Sequence, residues 1–163
     1  MKITLTINNI SKLYDVDVET KLIDILRNEN LTSPKDGCGK GECGCCTVLI
    51  DNKPVPSCLI PALSARESNI ETLEYFMTTD NYKDIAEGFS KHNIILCGYC
   101  NTGKIFGTHE IINNFGKYSE EKILNYCNSF RCLCTETSSL MRGIYESVKN
   151  RNKRLGVIKN EKK

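Results

Sequence analysis

Residues 36–48 read "DGCGKGECGCCTV", four cysteines and four glycines in thirteen positions. A segment this short and this rich in glycine cannot bury its own sulfur. Its thiols therefore serve one of four purposes: disulfides, a zinc site, a reactive thiol or an inorganic cluster. All ten cysteines of the 163-residue chain fall into two groups, Cys38 to Cys58 and Cys97 to Cys134. Two groups imply two sites.

The opening "MKITLTINNI" alternates apolar and polar residues. It has neither the apolar core nor the cleavage site of a secretion signal, and no run reaches the about 18 apolar residues that cross a bilayer. The expectation is a soluble chain of the cytoplasm. Thiols stay reduced there, so dense cysteines read as metal or redox sites before disulfides. Twenty-two basic against twenty acidic residues, net +2, argue against nucleic acid or a membrane as partner.

Cys38, Cys43 and Cys46 stand in the spacing CxxxxCxxC, and Cys58 follows on what reads as the next strand. This is the ligand pattern by which four thiolates hold a plant-type 2Fe-2S cluster. Three ligands on one loop require backbone that wraps the cluster. Gly37, Gly39, Gly41 and Gly44 permit that, and they let amides approach the sulfurs. Zinc accepts four thiolates equally well, but its structural sites usually pair two short hooks. Cys45 falls outside the spacing and reads as a small buried side chain beside the cluster.

In the second group, Cys97 and Cys100 form a CxxC ahead of one helix, and Cys132 and Cys134 a CxC ahead of another. Both hooks lie at helix N-termini, where free N–H groups favour thiolates. Alone the pair is ambiguous between zinc and iron-sulfur; the first motif favours a second 2Fe-2S cluster. Cys127 reads as a core residue, and His92 and His109 as helix-packing or surface residues. No catalytic triad, P-loop or dinucleotide motif is present, so no residue is assigned a catalytic role.

The periodicity predicts an α+β chain. Ile3, Leu5 and Ile7, an Asn8-Asn9 turn, and Tyr14, Val16 and Val18 make a hairpin. A helix follows, capped by Thr20, with Leu22, Ile25 and Leu26 on its apolar face. "TVLIDNKPVPSCLI" reads as strand, Asp51-Asn52 turn, strand, and Ile70 to Leu73 as a further strand. Beyond residue 75 the period lengthens to helical. The predicted helices bury Tyr82, Ile85, Ala86 and Phe89; Ile105, Ile112 and Phe115, ending at Gly116; Ile123, Leu124 and Cys127 after Ser119; and Leu140, Met141, Ile144 and Val148 from Thr137. The basic end, residues 151–163, reads as a solvated tail.

These motifs, "LIDILR", "GCGKGECGCCTVLIDNKPVPSC", "CGYCNTGKI" and "CLC" in this order, resemble the small iron-sulfur subunit of the molybdenum hydroxylases, of the xanthine dehydrogenase and aldehyde oxidoreductase type. The resemblance implies a β-grasp ferredoxin-like domain over residues 1–75, with Cys38, Cys43, Cys46 and Cys58 as cluster ligands. It implies a four-helix 2Fe-2S-binding domain over 76–150, with Cys97, Cys100, Cys132 and Cys134 as ligands. It further implies an electron-transfer subunit with two 2Fe-2S clusters, while FAD and molybdopterin lie on partners, a molybdopterin-binding large subunit with an FAD-binding medium subunit. Electrons would run from molybdenum to the helical-domain cluster, then to the ferredoxin-domain cluster, then to FAD. The chain departs from the family at Leu96 (usually Gln), at Asn101 and Thr102 before Gly103 (usually Thr-Pro-Gly), at Leu133 with Arg131 before the hook, and at Glu136-Thr137. These positions are expected to face the molybdopterin subunit. A two-cluster subunit of a non-molybdenum oxidoreductase and a zinc-stabilised interaction module are the alternatives.

Overall fold

The computed structural model describes residues 1–130 and 132–157. Strand β1 (Lys2–Ile7) buries Ile3, Leu5 and Ile7 on one face, as period-two alternation requires. Asn8 and Asn9 turn the chain with φ of 52° and 66°, a left-handed pair that asparagine tolerates and that matches strand twist. Strand β2 (Ile10–Asp15) returns antiparallel, Ile7 opposite Ile10. The strand stops before Val16 and Val18, because Asp17 to Thr20 close a turn in which the Asp17 N–H donates to the Thr20 hydroxyl. That bond occupies the predicted helix cap. Helix α1 (Leu22–Asn28) starts instead after Lys21, whose N–H donates to the Asp24 carboxylate.

Strands β3 (Thr47–Ile50) and β4 (Lys53–Pro56) form the second hairpin around Asp51-Asn52, and β5 (Asn69–Glu71) completes a sheet of order β2-β1-β5-β3-β4. Among the described residues only the β1–β5 pair is parallel. Leu22, Ile25 and Leu26 of α1 pack with Leu5, Ile7, Val48 and Ile70 in one core.

A short helix α2 (Leu73–Phe76) leads to α3 (Asp80–Lys91), α4 (Asn101–Asn113), α5 (Glu120–Ser129) and α6 (Thr137–Arg154). Ser119 caps α5 as expected, accepting the Lys122 N–H. Helix α4 ends before Gly116, which lies inside a separate 3-10 turn, Phe115–Lys117. Ile85, Phe89, Ile105, Phe106, Ile112, Ile123, Cys127, Leu140, Ile144 and Val148 form the second core, joined by Leu49. Leu124, expected inward, is 38 % exposed. Neighbouring residues of β3 thus serve different cores, Val48 the sheet's and Leu49 the helices'. Helix α6 extends to Arg154, whose guanidinium bonds the Asp84 carboxylate at 2.7 Å, so the first residues of the expected tail are helical. Arg131 and residues 158–163 lie outside the described residues. No helix among the described residues is long and apolar enough to cross a membrane.

Candidate metal centres

The loop between α1 and β3 carries the first thiols. It is pinned at its ends: the Lys35 N–H donates to the Cys45 carbonyl at 2.9 Å, and the Ser57 hydroxyl donates to the Cys46 carbonyl at 2.7 Å. The second bond fixes Cys58, which sits just beyond β4 in a 3-10 turn (Ser57–Leu59) and not on the strand itself. Cys46 and Cys58 are buried together with Ile23, and Cys38 and Cys43 are half-buried nearer the surface. Amides converge on Cys38. The N–H groups of Lys40, then Cys43 and Glu42, bring its pKa down to about 6. Burial pushes Cys46 up to about 11, the cost of placing a thiol in an apolar pocket.

Gly37 lies under this loop, where an added Cβ would stand 2.4 Å from the Cys45 sulfur and 3.1 Å from that of Cys43. Gly39, Gly41 and Gly44 have φ of +63°, +73° and +72°, a backbone that residues with a Cβ rarely adopt. Cys45 is fully buried, 3.0 Å from the Cys43 sulfur and donating to the Lys35 carbonyl. Burial, followed by Cys43, raises its pKa to about 12, so it stays a neutral thiol.

The second thiols come together from two helix starts. Cys100 is the N-cap residue of α4, while Cys132 and Cys134 lie in the loop before α6, their sulfurs 3.0 Å apart. The Tyr99 N–H and then Cys134 lower the Cys97 pKa, while burial, opposed by Lys104 and supported by Cys132, raises that of Cys100. Cys97 and Cys134 are exposed, and Leu133 between the CxC pair projects fully into solvent. Sequence reading missed Lys104. It lies on α4 one turn beyond Cys100, is 1 % exposed, and its ammonium donates to the Cys132 sulfur at 3.0 Å. The available signal was a lysine at i+4 from a thiolate hook, on a helix whose neighbouring residues are small or apolar. Partial burial opposes ionisation of Cys132, but Lys104 and then Cys134 overcome it and bring the thiol down to about 6. His109 packs edge-on to Phe76, centroids 4.9 Å apart, and pairs with Asn113.

The two sets adjoin. Tyr99, inside the CxxC hook, reaches the first loop, its hydroxyl 2.9 Å from where a Cβ on Gly37 would stand. Thr102 is fully buried, its hydroxyl shared between the Gly44 and Cys45 carbonyls at 3.0 and 3.1 Å. Gly103 presses on Gly44 so closely that a Cβ would meet the Gly44 oxygen at 2.7 Å. A cavity of about 370 Å³ between the sets is lined by Cys38, Cys43, Tyr99, Cys100 and Phe130. Thr102 therefore faces the first loop, not an outer surface. Leu96 packs against the helical core, and of the departing positions among the described residues Leu133 is the one that projects most clearly outward.

None of the ten cysteines is in a disulfide. Among the described residues no three or more His, Cys, Asp or Glu side chains converge on a single ion position. Thiols drawn down by amides and a lysine, over a glycine cradle, suit an all-thiolate iron-sulfur group.

Residues 5–72 match the family described as 2Fe-2S iron-sulfur cluster binding domain, and residues 72–145 the [2Fe-2S] binding domain. Among curated proteins the chain is 35 % identical to a nicotinate dehydrogenase subunit of Pseudomonas putida, over 83 % of this chain and 87 % of that one. It is 38 % identical to the aldehyde oxidoreductase iron-sulfur-binding subunit of Escherichia coli, over 64 % of this chain and 46 % of that longer one. Among solved structures it is similar to a chain of quinoline 2-oxidoreductase from Pseudomonas putida 86, with a TM-score of 0.80 and 30 % identity over 97 % of this chain and 98 % of that one.

Proposed function

We infer from its membership of the small iron-sulfur subunits of molybdenum hydroxylases, the xanthine dehydrogenase and aldehyde oxidoreductase family to which this chain belongs, that Cys38, Cys43, Cys46 and Cys58 hold one 2Fe-2S cluster and Cys97, Cys100, Cys132 and Cys134 a second. Each cluster supplies a one-electron store. The protein's own residues set the conditions. Amides of residues 40, 42 and 43 support Cys38, and Ile23 keeps water from Cys46 and Cys58. Lys104 supports Cys132, and the exposed Cys97, Leu133 and Cys134 leave the second centre accessible to a partner.

The chain relays electrons from a molybdopterin-binding large subunit, docked over the exposed hook, to an FAD-binding medium subunit near the first loop. Residues 1–75 form the first centre's domain and residues 76–150 the second's. The abutment of the two loops carries this reading, because the Thr102 hydroxyl, two residues beyond Cys100, donates to the Gly44 and Cys45 carbonyls of the first loop.

Purified anaerobically, the protein should contain about four iron and four acid-labile sulfide per chain, with two distinct EPR signals on reduction. Cys132→Ser should remove one signal and leave the other. Zinc without sulfide would overturn the assignment. Co-purification with chains carrying molybdenum and flavin supports the named partners; a flavin reductase without molybdenum assigns the chain to a different oxidoreductase.

A further inference from the structure

Lysine is almost never fully buried without a partner, and Lys104 is 1 % exposed. Among the described residues no carboxylate pairs with it. Its ammonium reaches the Cys132 sulfur at 3.0 Å and lies 5.8 Å from the centre of the Phe130 ring. Tyr126 holds the helix in register there, its hydroxyl 3.0 Å from both the Gly103 and Lys104 carbonyls. Position 104 thus has the burial of a core residue and the chemistry of a counter-ion.

We propose that Lys104 is the electrostatic tuning residue of the second centre, a buried positive charge that makes that centre easier to reduce than an apolar side chain at the same place would. A centre held by four thiolates is already anionic, and reduction adds one further negative charge. A cation near a ligand sulfur favours the more negative state, and it does so strongly where protein excludes water. Among the described residues no lysine or arginine side chain hydrogen-bonds a sulfur of the first set, where the Lys40 N–H donates to the Cys38 sulfur at 3.4 Å. The two centres are therefore tuned by different means, a full charge at one and peptide dipoles at the other.

The inference rests on the ligand assignment for the second centre, and Cys132→Ser tests that separately by loss of the second signal. The test of Lys104 is an EPR-monitored redox titration of the cluster-loaded full chain, comparing wild type with Lys104→Met, which keeps the length without the charge, and Lys104→Gln, which keeps an N–H donor. Both variants should lower the midpoint of the second centre and leave the first unmoved. In Lys104→Met the equilibrium for electron uptake should fall at least tenfold, about 59 mV for one electron. An unmoved second midpoint in Lys104→Met, or a wild-type midpoint in Lys104→Gln, would overturn the role of the charge. Loss of the second centre in both variants would overturn it as well, by making Lys104 an assembly residue. If only Lys104→Met loses the centre, the Lys104→Gln midpoint decides.

Discussion

Gly37 and His109 show how single side chains here are defined by what surrounds them. Gly37 is excluded from any larger residue by two sulfurs, a constraint visible only once Cys43 and Cys45 are folded over it. His109 is 3 % exposed between Phe76 and Asn113. Burial, then the positive charge of Arg151, holds its pKa down to about 4 from an ordinary 6.5. The folded state therefore binds fewer protons than the unfolded chain between those values. Its stabilisation is complete above pH 6.5 and is lost as pH falls toward about 4. The loss through that window should be on the order of 3 kcal/mol, read as a steeper fall of melting temperature with acid in wild type than in His109→Gln. Parallel pH curves for the two proteins would remove His109 from the account. The sequence showed a histidine on a helix; it contained no sign that the ring was enclosed.

Among elements, the turns and the amphipathic stripes were legible, because asparagine pairs, period-two alternation and a serine cap act locally. Thr20 was not, since a competing local turn captured its hydroxyl before the helix could use it. Leu124 illustrates a second limit. A helical stripe gives a direction, but the neighbour that covers it is set by tertiary packing. The packing of α3 on α6 depends on two glycines that no periodicity marks: a Cβ on Gly88 would stand 2.3 Å from the Ser147 hydroxyl and 2.9 Å from the Gly143 carbonyl. Backbone cannot yield as a flexible side chain can. Gly88→Ala should cost about 1–3 kcal/mol in denaturant unfolding while both cluster signals persist; a neutral result would mean that the helices separate freely.

At the scale of the whole molecule, the two halves are locked by three contacts that converge on one loop: the Tyr99 hydroxyl beside Gly37, Thr102 with two carbonyls, and Gly103 against Gly44. Thr102→Val preserves shape and removes the hydroxyl. It should cost about 1–3 kcal/mol, because the Gly44 and Cys45 carbonyls lose a buried donor. It should also alter the EPR line shape of the first centre, although residue 102 follows a proposed ligand of the second. An unchanged first signal would uncouple the halves. The amino-acid sequence by itself determined the grouping of the cysteines, the glycines of the wrapping loop and the change from period two to helical period, because each is a matter of local spacing. The tertiary structure alone decided that Thr102 turns inward, that Val48 and Leu49 serve different cores, and that Lys104 is buried against Cys132. Those outcomes depend on which surfaces meet across long sequence separations, and burial converts an ordinary lysine or hydroxyl into a strong interaction only when that meeting excludes water.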